Sequence, residues 1–93
     1  MIVTSIDATT TPTSWFRAPA SGEGTLGVSA TVIADGVKLQ GSNDRTNAYD
    51  LTDVTVTTNG GSVNFKTDFR YIRVAPITGA VTVERVELSG LEL

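Results

Sequence analysis

Thr25-Leu26-Gly27-Val28-Ser29-Ala30-Thr31-Val32-Ile33-Ala34-Asp35-Gly36-Val37-Lys38-Leu39-Gln40 is the stretch whose reading decides the fold class. Leu26, Val28, Ala30 and Val32 fall on one side of an extended chain and Thr25, Ser29 and Thr31 on the other, the period-two signature of a half-buried strand. Asp35-Gly36 reads as a two-residue hairpin turn of the type I′ kind, after which Val37 and Leu39 face a core and Lys38 and Gln40 face water.

The same alternation runs outward in both directions. Downstream, the polar run 41–47 is rich in Gly, Asn and Asp, which tolerate positive φ and satisfy their own backbone. Residues 49–51 form a short edge segment, and Val54 and Val56 then alternate with Thr55 and Thr57. Asn59-Gly60-Gly61 turns the chain, and Val63 and Phe65 share a face. In the stretch 70–74, Ile72 and Val74 point inward and Tyr71 and Arg73 outward. Pro76 and Gly79 mark another turn. The last strand, 80–88, changes phase between Val81 and Val83 and Val86 and Leu88, and a β-bulge at Glu84-Arg85 reconciles its halves. Upstream, residues 1–6 read as a first strand. Residues 6–24 read as an irregular arm, because Pro12 and Pro19 lack the donor that a central strand needs. Roughly seven or eight short strands with turns every 8–12 residues predict a compact all-β, antiparallel β-sandwich of jelly-roll type.

Composition agrees. The 93 residues make one small domain, with 15 Thr, 11 Val and 9 Gly, a bias toward β-branched residues and turns. No segment carries a helical stripe. Histidine and cysteine are absent, which removes imidazole- and thiolate-based zinc sites, thiol nucleophiles and Ser-His or Cys-His pairs. No enzymatic activity and no cofactor are expected. A net charge of -3 argues against a phosphate-binding surface, and no apolar run is long enough to span a bilayer. The start, MIVTSIDATTT, has neither the basic flank nor the apolar core of a secretory signal, so export by that route is not expected.

Residues 36–90 carry a series of short motifs: Val37-Lys38-Leu39-Gln40-Gly41-Ser42-Asn43-Asp44, then Thr46-Asn47 with Tyr49-Asp50-Leu51, then Arg70-Tyr71-Ile72-Arg73-Val74, then Val86-Glu87-Leu88-Ser89-Gly90. In order and spacing they resemble the core of discoidin-like (coagulation factor type C) jelly-roll domains, and are similar to small structural proteins of tailed phages. The chain is shorter than a full discoidin domain, has Ala48-Tyr49 where that family often has tryptophan, and lacks its terminal cysteine pair. These departures favour the compact phage type. The resemblance implies a virion component made in the bacterial host cytoplasm: a head decoration (cement) protein, or a tail- or fibre-associated module binding host-surface glycan. It implies the major capsid protein or other virion proteins as partners, and neither nucleic acid nor membrane. A small core also gains from self-association, expected as a symmetric homo-oligomer, most simply a trimer.

Several residues have two readings. Trp15, Phe16 and Arg17 have the composition of an interface hot spot, yet Trp15 would also serve as a cap on one open end of the sandwich. Arg70, Arg73 and Arg85 would form a basic stripe, or Arg73 and Arg85 would pair with Glu84 or Glu87 across strands, or they would serve intersubunit salt bridges. For the glycan reading the candidates are Asn43, Asp44, Tyr49 and Asn59. Asp44 with Asp50 or Asp53 offers oxygen ligands for calcium, but no regular D-x-D-x-D run supports a metal, and an Asx-type turn in which Asn43 and Asp44 satisfy backbone donors is the plainer reading, so no metal is expected. Glu84, Glu87 and Asp68 include carboxylates of the glycosidase kind, and a solvated strand face explains them better.

Overall fold

Val, Ile and Leu at alternate positions bury one face of each strand and leave Thr, Ser and charged residues on the other. The computed structural model describes residues 2–89. Met1 of the expected first strand and Gly90 of the last motif lie outside the described residues. The elements are β1 (Ile2–Thr9), β2 (Phe16–Arg17), β3 (Glu23–Val32), β4 (Val37–Ser42), β5 (Tyr49–Val56), β6 (Ser62–Lys66), β7 (Tyr71–Pro76) and β8 (Val81–Ser89), with no helix among the described residues. They form two four-stranded sheets, β1-β8-β3-β6 (sheet I) and β2-β7-β4-β5 (sheet II). Every pairing is antiparallel. Eight strands in this order form a jelly roll.

Sheet I contributes Ile6, Leu26, Val28, Ala30, Phe65, Val81, Val83, Val86 and Leu88 to one core cluster, and sheet II contributes Val37, Leu39, Val54, Val56, Ile72 and Val74. The bulge expected at Glu84-Arg85 is present. Ser29 pairs with Arg85 and Ala30 with Val83, so β8 carries one extra residue there. Val81, Val83, Val86 and Leu88 are all fully buried, while Glu84 and Arg85 are both exposed.

Other expectations are corrected. The turn at Asp35-Gly36 does not make a hairpin, because β3 and β4 belong to different sheets. It is a corner in which the Gly36 N–H donates to the Ile33 carbonyl at 2.7 Å. Gly36 sits at φ +100°, and a Cβ there would lie 2.5 Å from the Val56 carbonyl oxygen, so only glycine turns this corner without strain. The turns after β5 and β7 also cross between sheets, and β4–β5 is the one consecutive pair within a sheet among the described strands. Val32 faces solvent at 50 % exposure. The register slips between Ala30 and Val32, and Ile33 packs on the core instead. Residues 49–51 and 54–56 are one strand, interrupted by an irregularity between the pairs Gln40–Asp50 and Lys38–Thr55, where residues 51–54 lie against Leu39 alone and Asp53 takes φ 66°.

The segment 6–24 is not an irregular arm throughout. β1 continues to Thr9, Ile6 is a core residue at 4 % exposure, β2 pairs with β7, and β3 begins at Glu23. The stretch before β2 is tied to sheet II. The Thr13 N–H donates to the Val74 carbonyl at 2.9 Å, and the Val74 N–H donates to the Thr13 hydroxyl oxygen at 3.1 Å. Pro12 and Pro19 are tolerated because this strap runs along an edge, where a missing donor breaks no inner ladder.

Candidate functional site

The pairing of β2 with β7 builds the most distinctive surface of the molecule. Phe16 lies opposite the fully buried Ile72, and Arg17 opposite Tyr71. Phe16 packs against the core, so its neighbours Trp15 and Arg17 project from the outer face of sheet II. Trp15 therefore does not cap an open end of the sandwich. It lies beside Arg73, whose guanidinium sits 4.3 Å from the indole centroid, a cation–π geometry.

Arg73 is the start of a chain of side chains crossing the sheet. Its Nε donates to Gln40 Oε1 at 2.8 Å, Gln40 Nε2 donates to Asp50 Oδ1 at 2.9 Å, and Lys38 Nζ donates to Asp50 Oδ2 at 3.1 Å. The hydrogen bond from Gln40, then that from Lys38, hold the Asp50 carboxyl below its ordinary range. In the neighbouring row the Arg45 guanidinium stands 5.1 Å from the Tyr71 ring centroid, with Arg17 paired on Tyr71's other side. The face thus gathers Arg17, Lys38, Arg45 and Arg73 around two aromatic rings, with Asp50 as its internal counter-charge. This concentration of cations stands in a chain of net charge -3.

The remaining candidates lie elsewhere. Arg85 pairs with Ser29 on the outer face of sheet I, on the opposite side from Arg73, and its partner is Glu87 on the same strand. Arg70 sits in the turn before β7. The three arginines therefore form no common stripe, and Arg73 bonds to Gln40 rather than to Glu84 or Glu87. Glu84 accepts from the Thr31 hydroxyl, Glu87 accepts from Arg85, and Asp68 lies in the β6–β7 connection. No shared carboxylate cleft forms from them.

The four glycan candidates divide between the two ends of β5. Asn59 follows the far end, where its Oδ1 accepts the Ala30 N–H at 2.8 Å. Asn43, Asp44 and Tyr49 lie at the near end. Asn43 Oδ1 accepts the Arg70 N–H at 3.1 Å. Asp44 accepts from the Ser42 hydroxyl at 2.9 Å, from the N–H groups of Thr46 and Asn47 at 2.8 and 2.9 Å, and from Asn47 Nδ2 at 2.7 Å. The backbone N–H groups of Asn47 and Thr46, foremost, hold its carboxyl far below the usual range. This is the Asx turn, with Asp44 already saturated by the chain itself. Asp50 is likewise engaged by Lys38 and Gln40, and no group of three or more potential metal ligands occurs among the described residues. Tyr49, 57 % exposed, stacks on Phe69 with centroids 5.8 Å apart and planes 5° from parallel. Phe69 covers Gly41, where any side chain would collide with the ring.

Gln40, Asp50, Lys38, Arg45 and Tyr71 were not singled out as contact residues by the sequence pattern. The available signal was that Trp15 and Arg17 alternate with Phe16 as Arg73 and Tyr71 alternate with Ile72, so both pairs leave a core-facing neighbour and point outward. No protein-family model, no curated protein and no solved structure matches this chain.

Proposed function

We propose that this chain is a non-enzymatic structural protein of a tailed-phage particle, of the head-decoration (cement) kind, which works by surface contact through the outer face of sheet II. The phage context rests on the motif resemblance of residues 36–90. The observation that carries the contact face is Trp15 held beside Arg73, whose guanidinium is 4.3 Å from the indole centroid, on the outside of the sandwich. Aromatic and arginine side chains dominate binding energy at protein interfaces, and the Gln40–Asp50–Lys38 chain fixes this pair in place before any partner arrives. An eight-stranded jelly roll is a fold used by viral capsid proteins, an analogy of architecture. On this reading the partners are the major capsid protein or other virion proteins, and the protein resides in the virion after synthesis in the bacterial cytoplasm.

The test is binding of purified protein to particles that lack it. Trp15→Ala should weaken binding by about 2 kcal/mol or more while the folded domain persists. Undiminished binding by this variant would remove sheet II from the contact.

A second reading, a small tail- or fibre-associated module for host-surface glycan, is favoured by one observation. The exposed Tyr49–Phe69 stack borders a cleft lined by Asn43, Leu51, Lys66, Thr67, Asp68 and Phe69, and sugars stack on exposed rings. Glycan-array binding that Tyr49→Ala abolishes and Trp15→Ala leaves intact would select this reading over the first.

A further inference from the structure

On the outer face of sheet I, opposite the Trp15 face, lies a depression of about 240 Å³ bordered by Gly27, Ser29, Gly60, Gly61, Ser62, Arg85 and Glu87. An enclosed cavity of about 150 Å³ accommodates benzene, so an open depression of this size offers space against which an aromatic ring can lie. Its shape comes from glycines. The Gly60-Gly61 turn is laid against β3, with the Gly60 N–H donating to the Val28 carbonyl at 2.9 Å and the Val28 N–H donating to the Gly61 carbonyl at 3.0 Å. Gly27 then leaves the outer side of β3 bare.

Nothing in the fold requires glycine at position 27. Its φ is not in the positive range, and an added Cβ would meet only Glu87 Cβ at an ordinary 3.9 Å. Glycine inside a strand weakens it and often marks a place where another molecule approaches closely. Charge adds a second argument. The outer face of sheet II gathers Arg17, Lys38, Arg45 and Arg73 against Asp50, a net positive face. The outer side of sheet I carries Asp7, Glu23, Glu84 and Glu87 against Lys66 and Arg85, a net negative one. Two copies meeting sheet II to sheet II would oppose like charges, whereas sheet II of one copy meeting sheet I of another opposes unlike ones.

We infer that the protein self-associates head to tail, with Trp15 of one copy seated in the Gly27 depression on the outer face of sheet I of the next, and Arg17 and Arg73 facing the Glu84 and Glu87 side. The inference rests on the reading of sheet II as a contact face and names a second copy as its occupant. The contact is heterologous, joining two different patches, and therefore builds a ring where its rotation closes and an open stack where it does not.

The experiment is sedimentation of the purified full chain, without particles, from about 1 μM to about 1 mM, the range of weak to moderate affinities. The wild type is expected to grow in mass with concentration. Trp15→Ala and Gly27→Val are each expected to weaken association at least about tenfold, a change of about 1.4 kcal/mol, with the thermal transition of Gly27→Val retained or raised. The decisive arm mixes the two variants. Each keeps the half that the other lacks, so the mixture should form a one-to-one dimer and nothing larger. A wild type that stays monomeric at the highest concentration overturns the inference, as does association undiminished in both variants or a mixture that forms no dimer. If the monomeric wild type still binds particles through Trp15, self-association falls and the proposed function stands. If self-association holds and particles bind nothing, the reverse is true.

Discussion

Sheet I turns Thr25, Ser29, Asn64 and Glu84 to solvent where sheet II turns Trp15, Tyr71, Arg73 and Gln40, although the two inner faces are built alike from Val, Leu and Ile. Across sheet I the polar contacts are short and separate: the Thr25 hydroxyl to Asn64 at 2.8 Å, Thr31 to Glu84, and Arg85 to Glu87. Across sheet II they join into one chain from Trp15 to Lys38. The inner faces converge because burial of apolar area constrains both equally. The outer faces are free of that constraint, so a half-buried Trp paired with an Arg on one of them calls for another account.

The largest expected effects test the likeness of the inner faces. Leu26→Ala in sheet I and Leu39→Ala in sheet II each remove a fully buried side chain and should each cost about 2–5 kcal/mol in denaturant unfolding. If one costs several-fold less than the other, the two sheets do not share a single core. Next comes Arg73→Ala, which strips Trp15 of its cation and Gln40 of its donor. It should destabilise the isolated domain by about 1–2 kcal/mol, whereas Ser29→Ala on sheet I should stay within about 0.5 kcal/mol. Equal effects would erase the distinction between the outer faces.

Acid should act on the Asp50 and Asp44 carboxyls. Both titrate below their ordinary value in the fold. The stability they add is therefore fully present above about pH 4 and is lost as pH falls below it. The melting temperature of Asp50→Asn should fall less steeply than that of the wild type across this window, and parallel curves would show that the Gln40–Asp50–Lys38 chain is energetically idle. The smallest effect belongs to the exposed Glu23–Lys66 pair at the margin of sheet I, 3.7 Å apart. Glu23→Gln should leave the thermal transition unchanged within error, as exposed pairs of this kind contribute little.

Most strands from β3 onward and the Glu84-Arg85 bulge were legible in the sequence because both rest on local alternation, whereas β2 and the end of β1 were hidden in a segment whose prolines read as an irregular arm. Val81 and Val83 cannot share a face with Val86 and Leu88 unless one extra residue intervenes, and the chain states this without help from its neighbours. The hairpin expected at Asp35-Gly36 failed because a glycine with positive φ marks a tight change of direction and carries no information about which sheet receives the next strand. Val32 was misplaced because the slip after Ala30 is imposed by pairing with β8, some 50 residues onward in sequence. The Trp15–Arg73–Gln40–Asp50 chain was illegible for the same reason. It draws on β7, β4, β5 and the flank of β2, whose adjacency exists only once sheet II is assembled. Asn43, Asp44 and Asn59 drew attention as polar loop residues, yet they spend their oxygens on the backbone.

The position of β8 between β1 and β3 has a consequence for how the chain is made. Sheet I receives this inner strand after all its other members have been synthesised, and sheet II receives β7, which joins β2 to β4, only one strand earlier. At about 5–20 residues per second, a nascent chain spends seconds on the ribosome with β1 and β3 complete but no strand to bridge them. A polypeptide halted at Gly79 would leave β1 and one edge of β3 unpaired, an invitation to aggregate that lasts until β8 arrives. Closure of sheet I is thus expected only after β8 has emerged, and a chaperone that shields unpaired strands has its window before then.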